Sequence, residues 1–239
     1  MNTLTVQDTS LIGSEEAISM LEKKHAARLL VVSDSHGEAE VLEKIITEFG
    51  SDCDALIFCG DGVCDVIACM DESVSDKKLA AALPPVIACV KGNGDAERYP
   101  IYGEEDEPSD GAGTERRVCR YFEVQPRVLL RAAGRTVLVV HGNRHGVDFG
   151  TETLQSSAEV MDADMVFFGH THRPYREENG ATLLLNPGSC ARPRGGVPPT
   201  FAVVSVPGST ERYDVEFFEL EETMFGGYVF TPFHEISGY

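Results

Sequence analysis

The sequence predicts an α/β fold in which two packed β-sheets are flanked by helices. In the first half of the chain, short apolar runs alternate with segments of helical periodicity, which favours parallel strands joined by right-handed crossovers. The second half is rich in further apolar runs that are typical of buried strands. A chain of 239 residues, of which 42% are hydrophobic, is long enough to bury a large core.

Three strands and three helices are predicted in the first half. The strands are the apolar runs at residues 28–33, 55–59 and 86–90. The helices are predicted at residues 38–49, 63–72 and 75–83. The segment before them, residues 1–27, is predicted to be an N-terminal extension to a single domain that covers residues 28–239. Ser14 is expected to cap a short amphipathic helix within this extension.

Strands dominate the second half, which begins after a Gly- and acid-rich loop at residues 103–115. The predicted strands are residues 117–124, 127–132, 136–140, 165–168, 181–185, 200–206 and 212–220. One helix is predicted at residues 150–160, between the third and fourth of these strands. A loop rich in Pro, Gly and Arg is predicted at residues 186–199.

Charge and cysteine content narrow the classes of partner. The formal net charge is −19, which argues against extended nucleic-acid binding but not against one phosphate at a metal centre. No apolar run is long enough to predict a membrane span, and no apolar signal region is recognisable near the N-terminus. The seven cysteines include no Cys-x-x-Cys pair, which favours a reducing, cytoplasmic location without structural disulfides.

Polar residues follow directly after five of the predicted strands, most of them beside a glycine. These residues are Asp34, His36, Asp61, Asn93, His141, His170 and His172. Each is weak evidence alone, because an acidic residue after a strand is more often a turn former and a histidine there is more often a surface residue. The combination is informative, since four of the seven histidines occupy such positions. Sites in open α/β sheets form at the carboxyl ends of strands.

The chemistry of this set points to metal ions. Carboxylate and amide oxygens combined with four imidazoles, without thiolate, suit Mn, Fe, Zn, Co or Ni better than Mg or Ca. Seven ligands exceed the needs of one cation and suit two, about 3.5–4 Å apart, that share a carboxylate. Such a pair lowers the pKa of a shared water and neutralises phosphate oxygens, so a phosphate ester is the natural substrate.

The motifs that carry these residues resemble those of the calcineurin-like metallophosphoesterases. They are DSH at 34–36, GD at 60–61, GNGD at 92–95, HG at 141–142 and GHTH at 169–172. The segment NPGSCARPRGG at 186–196 is similar to one in the small bacterial and archaeal phosphodiesterase subgroup. The likeness covers residues 28–206 and implies a four-layer αββα sandwich of two mixed sheets flanked by helices.

The resemblance also implies a role for each residue. One metal would bind Asp34, His36, Asp61 and His172. The other would bind Asp61, Asn93, His141 and His170, with manganese the favoured ion. Catalytic roles are implied for Asp61, the bridging ligand, and for Asn93, His141 and Asp95, the last orienting a ligand or a water. Substrate contacts are expected from Asn93, Gly188, Ser189, Arg192 and Arg194, although the arginines are equally interpretable as exposed surface charges.

Two departures from the family pattern bear on the substrate. Some relatives carry a histidine that protonates the leaving group where this chain has Gly94, and the subgroup has a histidine where this chain has Asn143. His145 is the nearest substitute. Without a general acid, metal activation favours small phosphodiesters with good leaving groups.

Two other functions remain open at this stage. One is a non-catalytic protein-interaction scaffold of the same fold, like the retromer scaffold subunit. The other is a metal-dependent nuclease, which the net charge disfavours. Relatives that form dimers or tetramers suggest a homo-oligomer.

Overall fold

The computed structural model describes residues 6–7, 9–103, 117–180, 182–208, 213–224 and 226–234. Within these residues the strands are β1 (Leu11–Ile12), β2 (Ala26–Val32), β3 (Ala55–Phe58), β4 (Val86–Cys89), β5 (Arg98–Gly103), β6 (Arg117–Glu123), β7 (Arg127–Ala132), β8 (Arg135–Val140), β9 (Met165–Phe167), β10 (Pro174–Asn179), β11 (Thr182–Pro187), β12 (Thr200–Pro207), β13 (Asp214–Glu222) and β14 (Tyr228–Phe233). The α-helices are α1 (Glu15–Lys23), α2 (Ala39–Phe49), α3 (Val63–Glu72), α4 (Lys77–Ala82) and α5 (Glu152–Met161). Single 3₁₀ turns lie at Gly50–Asp52 and Asn143–His145.

Two mixed sheets form the centre of the fold. The larger has the strand order β1-β4-β3-β2-β12-β13-β14, with β2, β3 and β4 parallel to one another. The smaller has the order β10-β11-β9-β8-β7, with β8, β9 and β11 parallel. Strands β5 and β6 pair separately as a two-stranded ribbon. Both large sheets therefore combine a parallel centre with antiparallel edges.

Alternate side chains of the central strands explain why the sheets stack between helices. Leu29 and Val31 of β2 pack in one buried cluster with Val137 and Val139 of β8, so these faces of the two sheets meet. Their neighbours along β2 face the other way, into a second cluster formed with α2, α3 and α4. A third cluster joins the outer face of the smaller sheet to α5. Strands buried on both faces are continuously apolar, which is why they were recognisable in the sequence. The predicted four-layer αββα sandwich is confirmed.

The described part of residues 1–27 is built into this sandwich. Ser14 accepts a hydrogen bond from the Ala17 N–H, as expected of the N-cap of α1. Strand β1 pairs with β4, and Leu11 and Leu21 are buried in the cluster between the sheets. Strand β2 begins at Ala26, so the domain boundary predicted after residue 27 falls inside a strand. The division into extension and domain stays a prediction.

Four strands escaped the sequence analysis, and each lacked an apolar run. Strand β1 has only two residues, while β5, β10 and β14 are interrupted by polar residues or proline. Residues 104–116, the greater part of the predicted acidic loop, lie outside the described residues. Among the helices of the described ranges, none is long and apolar enough to cross a membrane.

The six described cysteines are free, and all but Cys64 are buried. Burial raises the pKa of the Cys53 thiol to about 11 and that of Cys69 to about 12. Burial also raises the pKa of the exposed Cys64, and the adjacent Asp65 carboxylate contributes to a value of about 11. These thiols are protonated at neutral pH and behave as small apolar side chains.

An aromatic cluster beneath α2 provides a stability test. Phe201 is fully buried, with its ring centroid 4.9 Å from that of Phe49 and 5.5 Å from that of Phe218. Replacing Phe201 with Ala is expected to lower the free energy of unfolding by about 3–5 kcal/mol, because it removes packing and leaves a cavity. Urea denaturation of the variant measures this loss. The control Phe149→Ala, at a side chain 95% exposed, should change stability by less than about 0.5 kcal/mol. Equal losses in the two variants would contradict the assignment of Phe201 to the core.

Candidate metal centre

Five loops converge at one end of the sandwich. They follow β2, β3 and β4 of the larger sheet and β8 and β9 of the smaller one. Backbone hydrogen bonds join them in pairs: the Asp34 N–H donates to the Gly60 carbonyl over 3.0 Å, and the Gly169 N–H donates to the His141 carbonyl over 2.9 Å. Polar side chains from both sheets therefore lie at one edge, as the parallel strands predicted.

Unusual backbone conformations concentrate in these loops. Five of the seven predicted ligands have positive φ: Asp34 (56°), His36 (48°), Asp61 (57°), His170 (72°) and His172 (59°). Residues with a Cβ avoid this region because the side chain approaches the following carbonyl. Such conformations persist only where the surrounding structure imposes them, and they are common at functional sites.

The first group of converging side chains is Asp34, His36 and His172. The Asp34 Oδ1 atom lies 3.3 Å from His172 Nε2 and 3.8 Å from His36 Nε2. The two imidazole Nε2 atoms are 3.1 Å apart. One carboxylate oxygen and two ring nitrogens thus surround a common point, as three ligands of one cation would.

The second group is Asp34, Asp61 and His141. His141 Nε2 lies 3.5 Å from Asp61 Oδ2, and all three residues are buried. Asp61 Oδ2 is also 3.9 Å from His36 Nε2, so this carboxylate faces both groups. Two of the atoms that point inward, Asp34 Oδ1 and His141 Nε2, are buried without a hydrogen-bond partner. Burying an unpaired polar atom costs about 1–3 kcal/mol, and a cation bound between these atoms would satisfy both.

Hydrogen bonds to carbonyl groups fix the tautomers of two histidines. His141 Nδ1 lies 2.8 Å from the Cys59 carbonyl oxygen, and His172 Nδ1 lies 2.5 Å from that of Arg192. A carbonyl only accepts, so each Nδ1 carries the hydrogen and each Nε2 presents a lone pair to the cluster. Metal-binding histidines are held in this way by partners of their other nitrogen.

The last two predicted ligands lie at the margin of the cluster. The His170 N–H donates to Asp34 Oδ2 over 3.1 Å, and its ring stands edge-on to that of His141 with centroids 5.2 Å apart. Asn93 is exposed beside Gly94, whose N–H donates to Asp61 Oδ1 over 2.7 Å. The structure therefore brings five of the seven predicted ligands together and places His170 and Asn93 next to them. Metal binding by this set stays a prediction.

The charges of the cluster are coupled. Burial raises the pKa of the Asp61 carboxyl, but the adjacent His141 imidazole and a hydrogen bond from the Gly94 N–H outweigh it and lower the pKa to about 2. Burial lowers the pKa of His141, yet the neighbouring carboxylates raise it above its ordinary value. Burial is the main reason that the pKa of His36 is lowered, and the nearby Arg192 guanidinium acts in the same direction. Asp61 is therefore ionised and His36 neutral at pH 7, which are the forms that bind a cation.

Asp95 has a structural role that its motif only hinted at. Its Oδ2 accepts from the N–H groups of Asp61 and Gly92 at 2.8 and 2.9 Å. Its Oδ1 accepts from the N–H groups of Gly62 and Val63 at 3.0 and 2.9 Å. The carboxylate joins the loops after β3 and β4 and thereby positions the Asp61 backbone. Asp95 therefore supports the predicted ligand Asp61 through the backbone of Asp61. A catalytic role for Asp95 stays a prediction.

Two supporting residues were missed by the sequence analysis. Asp65 is buried in α3, and its Oδ2 accepts from the Ser35 hydroxyl at 2.5 Å and from the Gly37 N–H at 2.9 Å. Asn186 is also buried, and its amide donates to the Gly169 carbonyl at 2.7 Å. An acidic residue within the apolar sequence of α3 was the one available signal for Asp65.

The NPGS segment supports the site from the β11–β12 connection. The Ser189 hydroxyl donates to the Asp34 carbonyl over 2.7 Å, and the Gly188 N–H donates to the Asn186 side chain over 2.9 Å. These groups are engaged within the fold, whereas Arg192 and Arg194 are exposed. The predicted phosphate contacts of this segment stay predictions.

Close backbone approach explains two of the motif glycines. A Cβ on Gly92 would lie 2.0 Å from Asp61 Oδ1, and one on Gly169 would lie 2.0 Å from Ser33 Oγ and 2.7 Å from Asp34 Oδ2. Any larger residue at these positions would displace a predicted ligand.

Comparison with known proteins identifies the family. The model of the calcineurin-like phosphoesterase superfamily domain matches residues 28–209, which include all of the predicted ligands. The chain belongs to this superfamily. It is 29% identical over 178 residues to "Probable metallophosphoesterase YsnB" of Bacillus subtilis, covering 74% of this chain and 83% of that protein. It is 24% identical over 182 residues to phosphodiesterase YfcE of Escherichia coli K12, covering 74% and 86%.

The fold is also shared with a protein named for a different process. Vacuolar Protein Sorting 29 from Cryptosporidium parvum superposes with a TM-score of 0.58 at 15% identity, covering 89% of this chain and 100% of that one. At this identity the likeness concerns the fold alone.

The Asp95 contacts provide a test of how the site is held. Asp95→Asn would place an amide donor against two of the backbone N–H groups and leave them unpaired, so we expect stability to fall by about 3 kcal/mol. The isosteric control is Asp162→Asn, at the exposed C-cap of α5, where Asn tolerates the left-handed conformation. Thermal and urea unfolding of both variants measures the difference. A stability of Asp95→Asn equal to that of the control would show that these contacts do not hold the loops.

Proposed function

We propose that this protein is a dinuclear metal-dependent phosphoesterase that hydrolyses small phosphodiesters. The observation that carries this proposal is the shared geometry of the two ligand groups. Asp34 belongs to both groups, and Asp61 Oδ2 lies between His36 and His141 at 3.9 and 3.5 Å. Such an arrangement supports two cations bridged by Asp61, rather than one cation with redundant ligands.

Each group of the site has a place in the reaction. When bound, two divalent cations supply positive charge to the phosphate oxygens and lower the pKa of a water toward neutrality. The exposed amide of Asn93 is available to hold a substrate oxygen beside Asp61. The exposed guanidinium groups of Arg192 and Arg194 would bind the phosphate of a small substrate. Asp95 keeps the Asp61 loop in place.

The geometry around His145 supports a preference for good leaving groups. His145 Nδ1 is buried without a hydrogen-bond partner. Burial and the nearby Arg127 lower the pKa of His145, so the imidazole is neutral at pH 7, and its remaining N–H is too weakly acidic to protonate a leaving group. With Gly94 and Asn143 at the positions where relatives carry histidines, the leaving group would depart unassisted.

The proposed metal is manganese, and the proposed location of the protein is the cytoplasm. The mixed oxygen and imidazole ligands suit Mn among the transition metals, and protonated free thiols are compatible with a reducing compartment. A homo-oligomer remains part of the proposal. The alternative, a non-catalytic scaffold, is suggested by the fold shared with Vacuolar Protein Sorting 29. A Vps29 from Entamoeba histolytica has been crystallised with zinc, so metal-dependent hydrolysis, rather than metal binding alone, discriminates between the two functions.

Substitution of the bridging carboxylate tests the proposal. Asp61→Asn is expected to reduce hydrolysis of bis(p-nitrophenyl) phosphate by more than roughly 100-fold. The loss should be this large because removing a group that only supports a metal ligand can already reduce activity to that extent, and Asp61 is the predicted ligand itself. Elemental analysis should find about two transition-metal ions per wild-type chain and fewer in the variant. Asp162→Asn is the isosteric control and should retain both metal and activity.

Two outcomes would contradict the proposal. One is the absence of bound metal and of hydrolysis after addition of Mn²⁺, which would favour the scaffold. The other is unchanged hydrolysis in Asp61→Asn.

Leaving-group dependence tests the absence of a general acid. Since such an acid contributes about 10²–10⁴-fold, hydrolysis of an aryl phosphodiester should exceed that of an alkyl phosphomonoester by at least about 100-fold. Rates of p-nitrophenol release from bis(p-nitrophenyl) phosphate and of phosphate release from glycerol phosphate measure the ratio. Comparable rates on the two substrates would show that the chain supplies a proton donor.

A further inference from the structure

Three of the four histidines of the cluster, His141, His170 and His172, differ in what holds them. His141 and His172 each direct Nδ1 to a backbone carbonyl, at 2.8 and 2.5 Å. His170 instead directs Nε2 to a carboxylate, with 3.0 Å between this nitrogen and Asp148 Oδ2. The acceptor for His170 is therefore a side chain, and it engages the opposite ring nitrogen.

This difference determines which nitrogen each ring presents. A carboxylate accepts hydrogen bonds, so His170 carries its hydrogen on Nε2 and its lone pair on Nδ1. His141 and His172 have the reverse arrangement, with the lone pair on Nε2. Since the His170 ring stands beside that of His141, its Nδ1 is the nitrogen available to the second group, formed by Asp34, Asp61 and His141.

We propose that Asp148 is a positioning residue that fixes His170 as an Nδ1 ligand and thereby sets the affinity of the second cation position. The proposal rests on the proposed function for the presence of that cation. A carboxylate that accepts from the outer nitrogen of a ligand histidine orients the ring and selects its tautomer, and the loss of such a partner typically weakens metal binding about 10–100-fold.

Asp148 lies in a short surface loop, so substituting it should affect His170 without disturbing the rest of the fold. It follows the 3₁₀ turn after β8 and lies between Gly146 (φ 66°) and Gly150 (φ 151°). The Phe149 N–H donates to the Gly146 carbonyl over 2.9 Å, which closes the turn. The Asp148 side chain is 50% exposed, so its removal leaves the core packing unchanged. The carbonyl partners of the other two histidines are backbone groups, which a substitution cannot remove.

The partial exposure of Asp148 also predicts which of the two cation positions has the lower affinity. An exposed hydrogen bond to a charged side chain is weakened by solvent and by side-chain entropy, whereas a buried carbonyl contact is not. The second position, which depends on Asp148, is therefore the weaker of the two.

The first experiment uses metal-free protein and so does not depend on catalysis. Two-bond ¹H–¹⁵N correlation spectra of ¹⁵N-histidine-labelled protein, at a pH of about 8.5, roughly two units above the ordinary imidazole pKa, report which ring nitrogens carry hydrogen. We expect His170 to carry hydrogen on Nε2 in the wild type and to lose this preference in Asp148→Ala. His141 and His172 should carry hydrogen on Nδ1 in both proteins. A His170 tautomer that is unchanged in Asp148→Ala would overturn the proposal.

The second experiment measures affinity. Calorimetric titration of metal-free protein with Mn²⁺ should show that Asp148→Ala weakens the second binding event about 10–100-fold and leaves the first unchanged. Glu159→Ala, at an exposed residue of α5, makes the same change in net charge away from the cluster and should leave both events unchanged. Equal weakening in the two variants would attribute the effect to net charge and overturn the proposal. A wild type that binds no Mn²⁺ would overturn the proposed function, while the spectra would still decide whether Asp148 sets the tautomer.

Discussion

The carboxylate of Asp95 is the contact on which the site depends. It accepts four backbone N–H groups from two loops that follow neighbouring parallel strands. One of these groups belongs to Asp61, so the residue proposed to bridge two cations is held by the backbone of its own loop. A carboxylate that accepts several N–H groups in a buried place stabilises its loops, and removing it would leave those donors unpaired.

Buried polar side chains also hold the loops of other predicted ligands, through hydrogen bonds to residues next to those ligands. Asp65 holds the loop of His36 through Ser35 and Gly37, and Asn186 holds the loop that begins at Gly169. These contacts explain how residues with positive φ persist without glycine, since hydrogen bonds to neighbouring residues of the same loops hold the backbone in place. The cluster is thus organised by the fold, and the inward-facing atoms are left for a ligand of opposite charge.

The sequence was informative where burial dictates residue type. Strands β2, β3 and β4 are apolar on both faces, so their ends and the polar residues after them could be located without a structure. Edge strands such as β10 have one solvent-facing side and a mixed sequence, which hides them among loops. Supporting residues were hidden for another reason. Asp95 lies close to Asn93 in sequence, but three of its four backbone partners are more than 30 residues away, and Asp148 is 22 residues from the histidine that it contacts. Pattern and spacing carry no information about such pairs.

The ligand groups join loops from two separate sheets, and this has a mechanical consequence. Asp34 and Asp61 follow strands of the larger sheet, while His141 and His172 follow strands of the smaller one. A cation held among them would add a cross-link between sheets that are otherwise joined by apolar packing and by a few hydrogen bonds, such as that from His141 to the Cys59 carbonyl. A ligand that binds only the folded state stabilises that state by mass action, so a bound metal would hold the two sheets together at this end of the sandwich. Chelation would loosen the same end first, and the slow exchange of amide hydrogens in β2 and β8 would be lost before that of strands at the far edges of the sheets.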